Sequence, residues 1–169
     1  MNTAQLRQNS PITDLLGRDQ IRWTLSFFDR YMTAGVMSAA GPVTLDCPEN
    51  LNTRYFLERR ELGIINVGGG RVIADGETLD LGYKEALYIG QPTREVVFAS
   101  ADEVAPAKFY LNSTPATYRY PTRTVSRQDA EVVELGSVAT ANLRVTSKAS
   151  WLYSLHVVPT YLSAYHPHY

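Results

Sequence analysis

The chain has 169 residues, 44% hydrophobic and 20% charged, with a formal net charge of −1. That length can build one domain around its own apolar core, and Lys and Arg scattered without a run leave no footprint for nucleic acid. Cys47 is the only cysteine, which excludes an internal disulfide framework, and no stretch approaches the roughly eighteen apolar residues of a membrane helix.

The polar start, Met1 to Gly17, has no apolar signal core, so a soluble cytoplasmic protein is expected. Leu6, Leu15 and Leu16 around Pro11 predict at most a short N-terminal helix and a turn. Ile21 to Phe28 mixes aromatic and β-branched residues and predicts a strand. Gly41-Pro42 and Cys47-Pro48 mark loops around a short strand at Val43 to Leu45. Leu62 to Val67 predicts a strand that ends in a turn at Gly68-Gly69-Gly70. Arg71 to Ala74 and Thr78 to Leu81 flank Asp75-Gly76, a pair that tolerates positive φ and predicts a hairpin, with Leu79 and Leu81 on one face. Further strands are expected near Ala86 to Ile89, Val96 to Ala99 and Lys108 to Leu111. Short strands with frequent turn signals and no alternating long helices predict an all-β antiparallel sandwich or barrel. Ser126 to Asp129 has the spacing of a capped turn. After Glu134 the chain carries no acidic residue and ends in an irregular tail rich in Tyr, His and Pro.

Chemistry is limited by where histidine falls. Residues 1 to 155 have none, and His156, His166 and His168 lie in the tail. The body therefore lacks imidazole as base or metal ligand, and no G-x-S-x-G elbow holds a nucleophilic serine. His166-Pro167-His168 has chelating spacing but no following carboxylate, and it reads as a frayed terminal segment rather than a metal site. Gly68-Gly69-Gly70 lacks the Lys-Ser/Thr of a phosphate loop and reads as a hairpin turn. Asn112-Ser113-Thr114 reads as a chance sequon in a loop. Glu58-Arg59-Arg60-Glu61 is the densest charged cluster. Arg59 and Arg60 are candidates for gripping a substrate carboxylate, although a salt-bridged sheet edge or subunit contact explains them as well.

At this cluster the sequence resembles a family. Tyr55-Phe56-Leu57-Glu58-Arg59-Arg60-Glu61-Leu62-Gly63-Ile64-Ile65-Asn66-Val67-Gly68-Gly69 is similar to the signature stretch of 5-dehydro-4-deoxyuronate isomerases, the 4-deoxy-L-threo-5-hexosulose-uronate ketol-isomerases. The likeness runs on through Glu85 to Gly90, Glu95 to Ser100, Pro106 to Tyr110 and Tyr120-Pro121-Thr122, with Asp29-Arg30 and Gly35-Val36-Met37 upstream. It covers about residues 3 to 146, and departs at Thr117, where the family usually has histidine.

The resemblance implies a cupin-like (RmlC-like) β-barrel over residues 21–125, preceded by an arm at 1–20. An extension and tail at 126–169 would stand in place of the family's second barrel. It implies a ketol-isomerase that converts 5-dehydro-4-deoxy-D-glucuronate to 3-deoxy-D-glycero-2,5-hexodiulosonate in the breakdown of pectin and other polyuronides. The partner is then a small-molecule uronate, with no nucleic acid or membrane, and the assembly a homo-oligomer, a hexamer in the family. The family's zinc ligands belong to the second barrel. Here, counting back from Glu61, the two histidine positions of a cupin fall near Arg54 and Phe56, so no metal and no cofactor is expected in this chain. The alternative is a non-catalytic β-barrel module, a truncated or frame-shifted product that serves oligomerisation or sugar-acid binding.

Overall fold

The computed structural model describes residues 14–25, 30–102, 104–137, 139, 144–148 and 161–165. The expected N-terminal helix falls mostly outside them, as do Phe27, Phe28 and the three histidines. From Leu16 the chain is already extended. A seven-stranded sheet takes β1 (Leu16–Arg18), β2 (Ile21–Leu25), β3 (Met32–Ser38), β5 (Arg60–Asn66), β8 (Ala86–Ile89), β10 (Ala107–Pro115) and β11 (Arg123–Val125) in the order β1-β3-β10-β5-β8-β11, with β2 also on β3. A four-stranded sheet orders β4 (Val43–Thr44), β9 (Val96–Ser100), β6 (Gly70–Ala74) and β7 (Glu77–Leu81) as β4-β9-β6-β7. All of these pairings are antiparallel except β1 with β3.

The two sheets close on one core. Strand alternation sends Leu62 and Ile64 of β5, Phe109 and Leu111 of β10, and Val72 and Phe98 of the smaller sheet inward. Phe98 and Phe109 meet across the interface with ring centroids 5.4 Å apart. This is the all-β, cupin-like sandwich that the sequence predicts.

The Asp75-Gly76 hairpin forms as expected. Asp75 has φ 46° and Gly76 φ 86°, and Ala74 pairs with Glu77 across them. The Asp75 carboxylate also accepts the amides of Arg94 and Glu95 at 2.9 and 2.8 Å, tying the turn to β9.

The triple-glycine turn differs from its prediction. It joins β5 of one sheet to β6 of the other, so it is a corner between layers. A Cβ on Gly68 would stand 2.7 Å from the Lys108 amide, and one on Gly70 2.5 Å from the Ala107 Cβ. Close approach to β10 is what requires glycine there.

Strand β3 was not predicted, because Ala34, Gly35 and Ser38 dilute its β character. It nevertheless pairs with β1, β2 and β10, and its Ala34 and Val36 are fully buried. Residues 131–165 contain β12 (Glu131–Leu135), β13 (Arg144–Lys148) and β14 (Tyr161–Tyr165), which pair antiparallel, so segments expected to be irregular are extended. Before them, the Ser126 hydroxyl accepts the amides of Gln128 and Asp129 and donates to the Asp129 carboxylate at 2.8 Å, forming the expected capped turn without a helix.

Candidate functional site

The charged cluster lies where a short 3-10 turn, Phe56–Glu58, feeds β5. Four consecutive charged residues cannot share one environment on a strand, and β5 sorts them. Glu58 stays in the turn. Its carboxylate accepts from the Arg54 Nε, Nη2 and backbone amide at 2.8, 2.6 and 2.8 Å. Those bonds, the backbone one first, hold its carboxyl below the ordinary range. Arg59 is exposed. Arg60 and Glu61 then point to opposite faces of the sheet.

Arg60 turns inward, on the side of Leu62 and Ile64, and is only 5% exposed. Its Nε donates to the Ser113 hydroxyl at 3.0 Å, and its Nη2 to the carbonyls of Arg30 and Ser113 at 2.8 and 2.9 Å. Ser113 in turn donates to the Glu61 carbonyl at 2.7 Å. The guanidinium carbon lies 5.9 Å from the centroid of Phe56, which stacks on Trp23 at 4.6 Å. Burial, with the charge of Arg30 nearby, brings the Arg60 pKa down to about 10. Of the two arginines that the sequence offers for a carboxylate, Arg60 is anchored in the interior and Arg59 is at the surface.

Glu61 faces the other side of the sheet. Tyr88, opposite Gly63 in the register, donates to its carboxylate at 2.9 Å, and the Thr114 hydroxyl donates at 3.3 Å. Burial pushes the Glu61 carboxyl above its ordinary value against the pull of those two bonds, and pushes the Tyr88 phenol up as well. Ile65, Ala86, Tyr88 and Val125 share this face, buried yet outside the main core cluster. Gly63 leaves room beside it, since a Cβ there would stand 2.5 Å from the Asn112 side-chain oxygen. Asn112 is itself a buried β10 residue rather than part of a loop, so the sequon is masked by the strand.

This sorting bears on metal binding. The three positions aligned with cupin ligands do not converge: Arg54 is exposed and ion-paired, Phe56 is in the core, and Glu61 is across the sheet. Guanidinium and phenyl groups are not zinc donors. Among the described residues no three of His, Cys, Asp and Glu gather as a metal would require. The residues at these three positions do not fit a zinc ion. Sequence reasoning located Arg60 but missed Arg30, Tyr88 and Thr114, which fold onto the cluster from 30, 27 and 53 residues away. No local spacing announces such contacts.

Comparison with known proteins bears on the same region. Residues 18–150 match the profile of the KduI/IolB family. A 4-deoxy-L-threo-5-hexosulose-uronate ketol-isomerase from Formosa agariphila is 47% identical over 148 residues, covering 87% of this chain and 53% of that one. The enzyme of the same name from Yersinia pestis strain Pestoides F is 40% identical over 151 residues, covering 88% and 54%. The chain thus spans about half the length of the curated relatives it matches. Among solved structures, an IolB-like protein from Salmonella typhimurium LT2 superposes with a TM-score of 0.53 at 20% identity, covering 70% of this chain and 43% of that one. A glyoxylate-induced protein from Pseudomonas aeruginosa does so at 0.55 and 10%, covering 79% and 49%. At such identities these two speak for the fold alone. Among the described residues no helix is long and apolar enough to cross a membrane.

Proposed function

The chain belongs to the KduI/IolB family, and from that premise we propose that it serves the ketol-isomerisation of 4-deoxy-L-threo-5-hexosulose uronate as a metal-free β-domain. The observation that carries this reading is the 47% identity to an isomerase of that name, sustained over 148 residues. The reaction exchanges an aldehyde for a ketone on adjacent carbons. It needs a base to carry a proton between them and an electrophile to hold the enediolate charge. In this domain the best candidate base, Glu61, has both carboxylate oxygens engaged by Tyr88 and Thr114 and is buried. The positions aligned with metal ligands are Arg54, Phe56 and Glu61, which supply no metal-binding set. The domain's part is therefore structural and substrate-holding, with the proton-transfer and zinc chemistry supplied by residues of a second barrel. On this reading the chain by itself turns over nothing, and in the cell it acts in the cytoplasmic breakdown of pectin-derived uronates.

A chimera tests this. Residues 18–148 of this chain, joined to the remaining half of the Formosa agariphila relative, are expected to isomerise the uronate. A chimera that folds by circular dichroism and has no turnover would contradict the assignment.

A further inference from the structure

We propose that Arg60 and Arg30 form a binding site for a small organic carboxylate, at the end of the sandwich where β3 and β5 begin and β10 finishes. Arg60 is buried, yet its three hydrogen bonds among the described residues all go to neutral acceptors: one hydroxyl and two carbonyls. Among the described residues no carboxylate lies within ion-pair distance of Arg60 or Arg30. The charge that acts on Arg60 is another cation, Arg30. Buried charges are ordinarily paired, and a cation held this way has an anion's position to fill.

Arg60 also keeps a donor in reserve. Its Nη1 makes no hydrogen bond among the described residues. Nor is it one of the sealed side-chain atoms that lack a hydrogen bond, which among the described residues are Trp23 Nε1 and Arg71 Nε. Arg30 has φ 54°, a left-handed conformation that L side chains rarely adopt. Its carbonyl turns in to Arg60 while the residue remains exposed. One guanidinium is thus held in the interior and the other belongs to an exposed residue. The Trp23–Phe56 stack beside Arg60 forms an apolar wall that keeps the local dielectric low and strengthens an ion pair.

The ligand class follows from the donors. Planar guanidinium N–H groups match the two oxygens of a carboxylate in a bidentate fork. The site stands on this geometry and does not require the isomerase reading, which it would extend by giving a uronate's carboxylate a place to rest.

Isothermal titration of the full chain at low salt with sodium D-galacturonate, and separately with inorganic phosphate, tests the proposal. Saturable galacturonate binding is expected, tighter than that of phosphate, and weakened about tenfold or more by Arg30→Gln. Arg30→Gln changes an exposed side chain and keeps the carbonyl that Arg60 uses, so the fold survives. Arg60→Lys, which retains the charge but loses the fork, is expected to weaken binding too. Absence of saturable galacturonate binding by the parent chain, or unchanged affinity in R30Q, would overturn the site. Tighter binding of phosphate would overturn the carboxylate assignment. Neither outcome touches the chimera's turnover, so the two readings fail separately.

Discussion

Arg60 and Glu61 are adjacent in sequence and opposite in circumstance. The first is a cation fixed inside the sandwich by neutral acceptors. The second is a carboxyl buried on the far face of the sheet under Tyr88 and Thr114. Because burial raises the Glu61 pKa, its contribution to stability is fully present below the unfolded value of 4.5. That contribution is lost as pH rises through the folded value. Glu61→Gln cannot ionise and keeps an acceptor for Tyr88. It is expected to be more stable than the parent in urea unfolding at about pH 8, with the gap closing as pH falls through the raised folded value towards 4.5. A gap independent of pH would show that the carboxyl is not strained by burial. At this scale the sequence exposed the charged cluster but not its sorting, because the partners that decide it arrive from other strands.

Among the elements, the two glycine turns show what was and was not legible. Asp75-Gly76 announced itself because both of its positions need positive φ and two alternating strands flank it. Gly68-Gly69-Gly70 announced a turn, but its role as a corner between sheets depends on β10, nearly forty residues onward by strand order. Strand β3, central to the larger sheet, was invisible because its small residues are chosen for packing rather than for β propensity. The corner yields a sharp contrast. A Cβ on Gly70 would meet Ala107 Cβ at 2.5 Å, Ala99 O at 2.7 Å and Phe109 Cζ at 2.9 Å, while one on Gly69 would meet nothing within 4 Å. Gly70→Ala is expected to cost roughly 1–3 kcal/mol and Gly69→Ala to be near neutral, measured by denaturant unfolding. Equal effects would mean that the two sheets are not packed at this corner as described.

For the whole molecule, the family and the architecture were both legible, since motif blocks and turn spacing extend over most of the chain. Assembly and catalysis were not, because they depend on surfaces and groups that no local pattern displays. Leu25, Tyr118, Val132 and Leu135 leave large apolar side chains exposed, at 45%, 69%, 57% and 41%. Such surface favours self-association. Light scattering is expected to return a multiple of the 18.9 kDa chain mass, and a monomer across the concentration range would count against an oligomer. The central claim, a family member whose β-domain carries no metal chemistry of its own, has its most direct test in one combined measurement. The purified chain is dialysed, its zinc content is determined, and the same sample is assayed for isomerisation of 4-deoxy-L-threo-5-hexosulose uronate. The expected result is zinc far below one ion per chain and no turnover; one retained zinc per chain together with turnover would contradict the account.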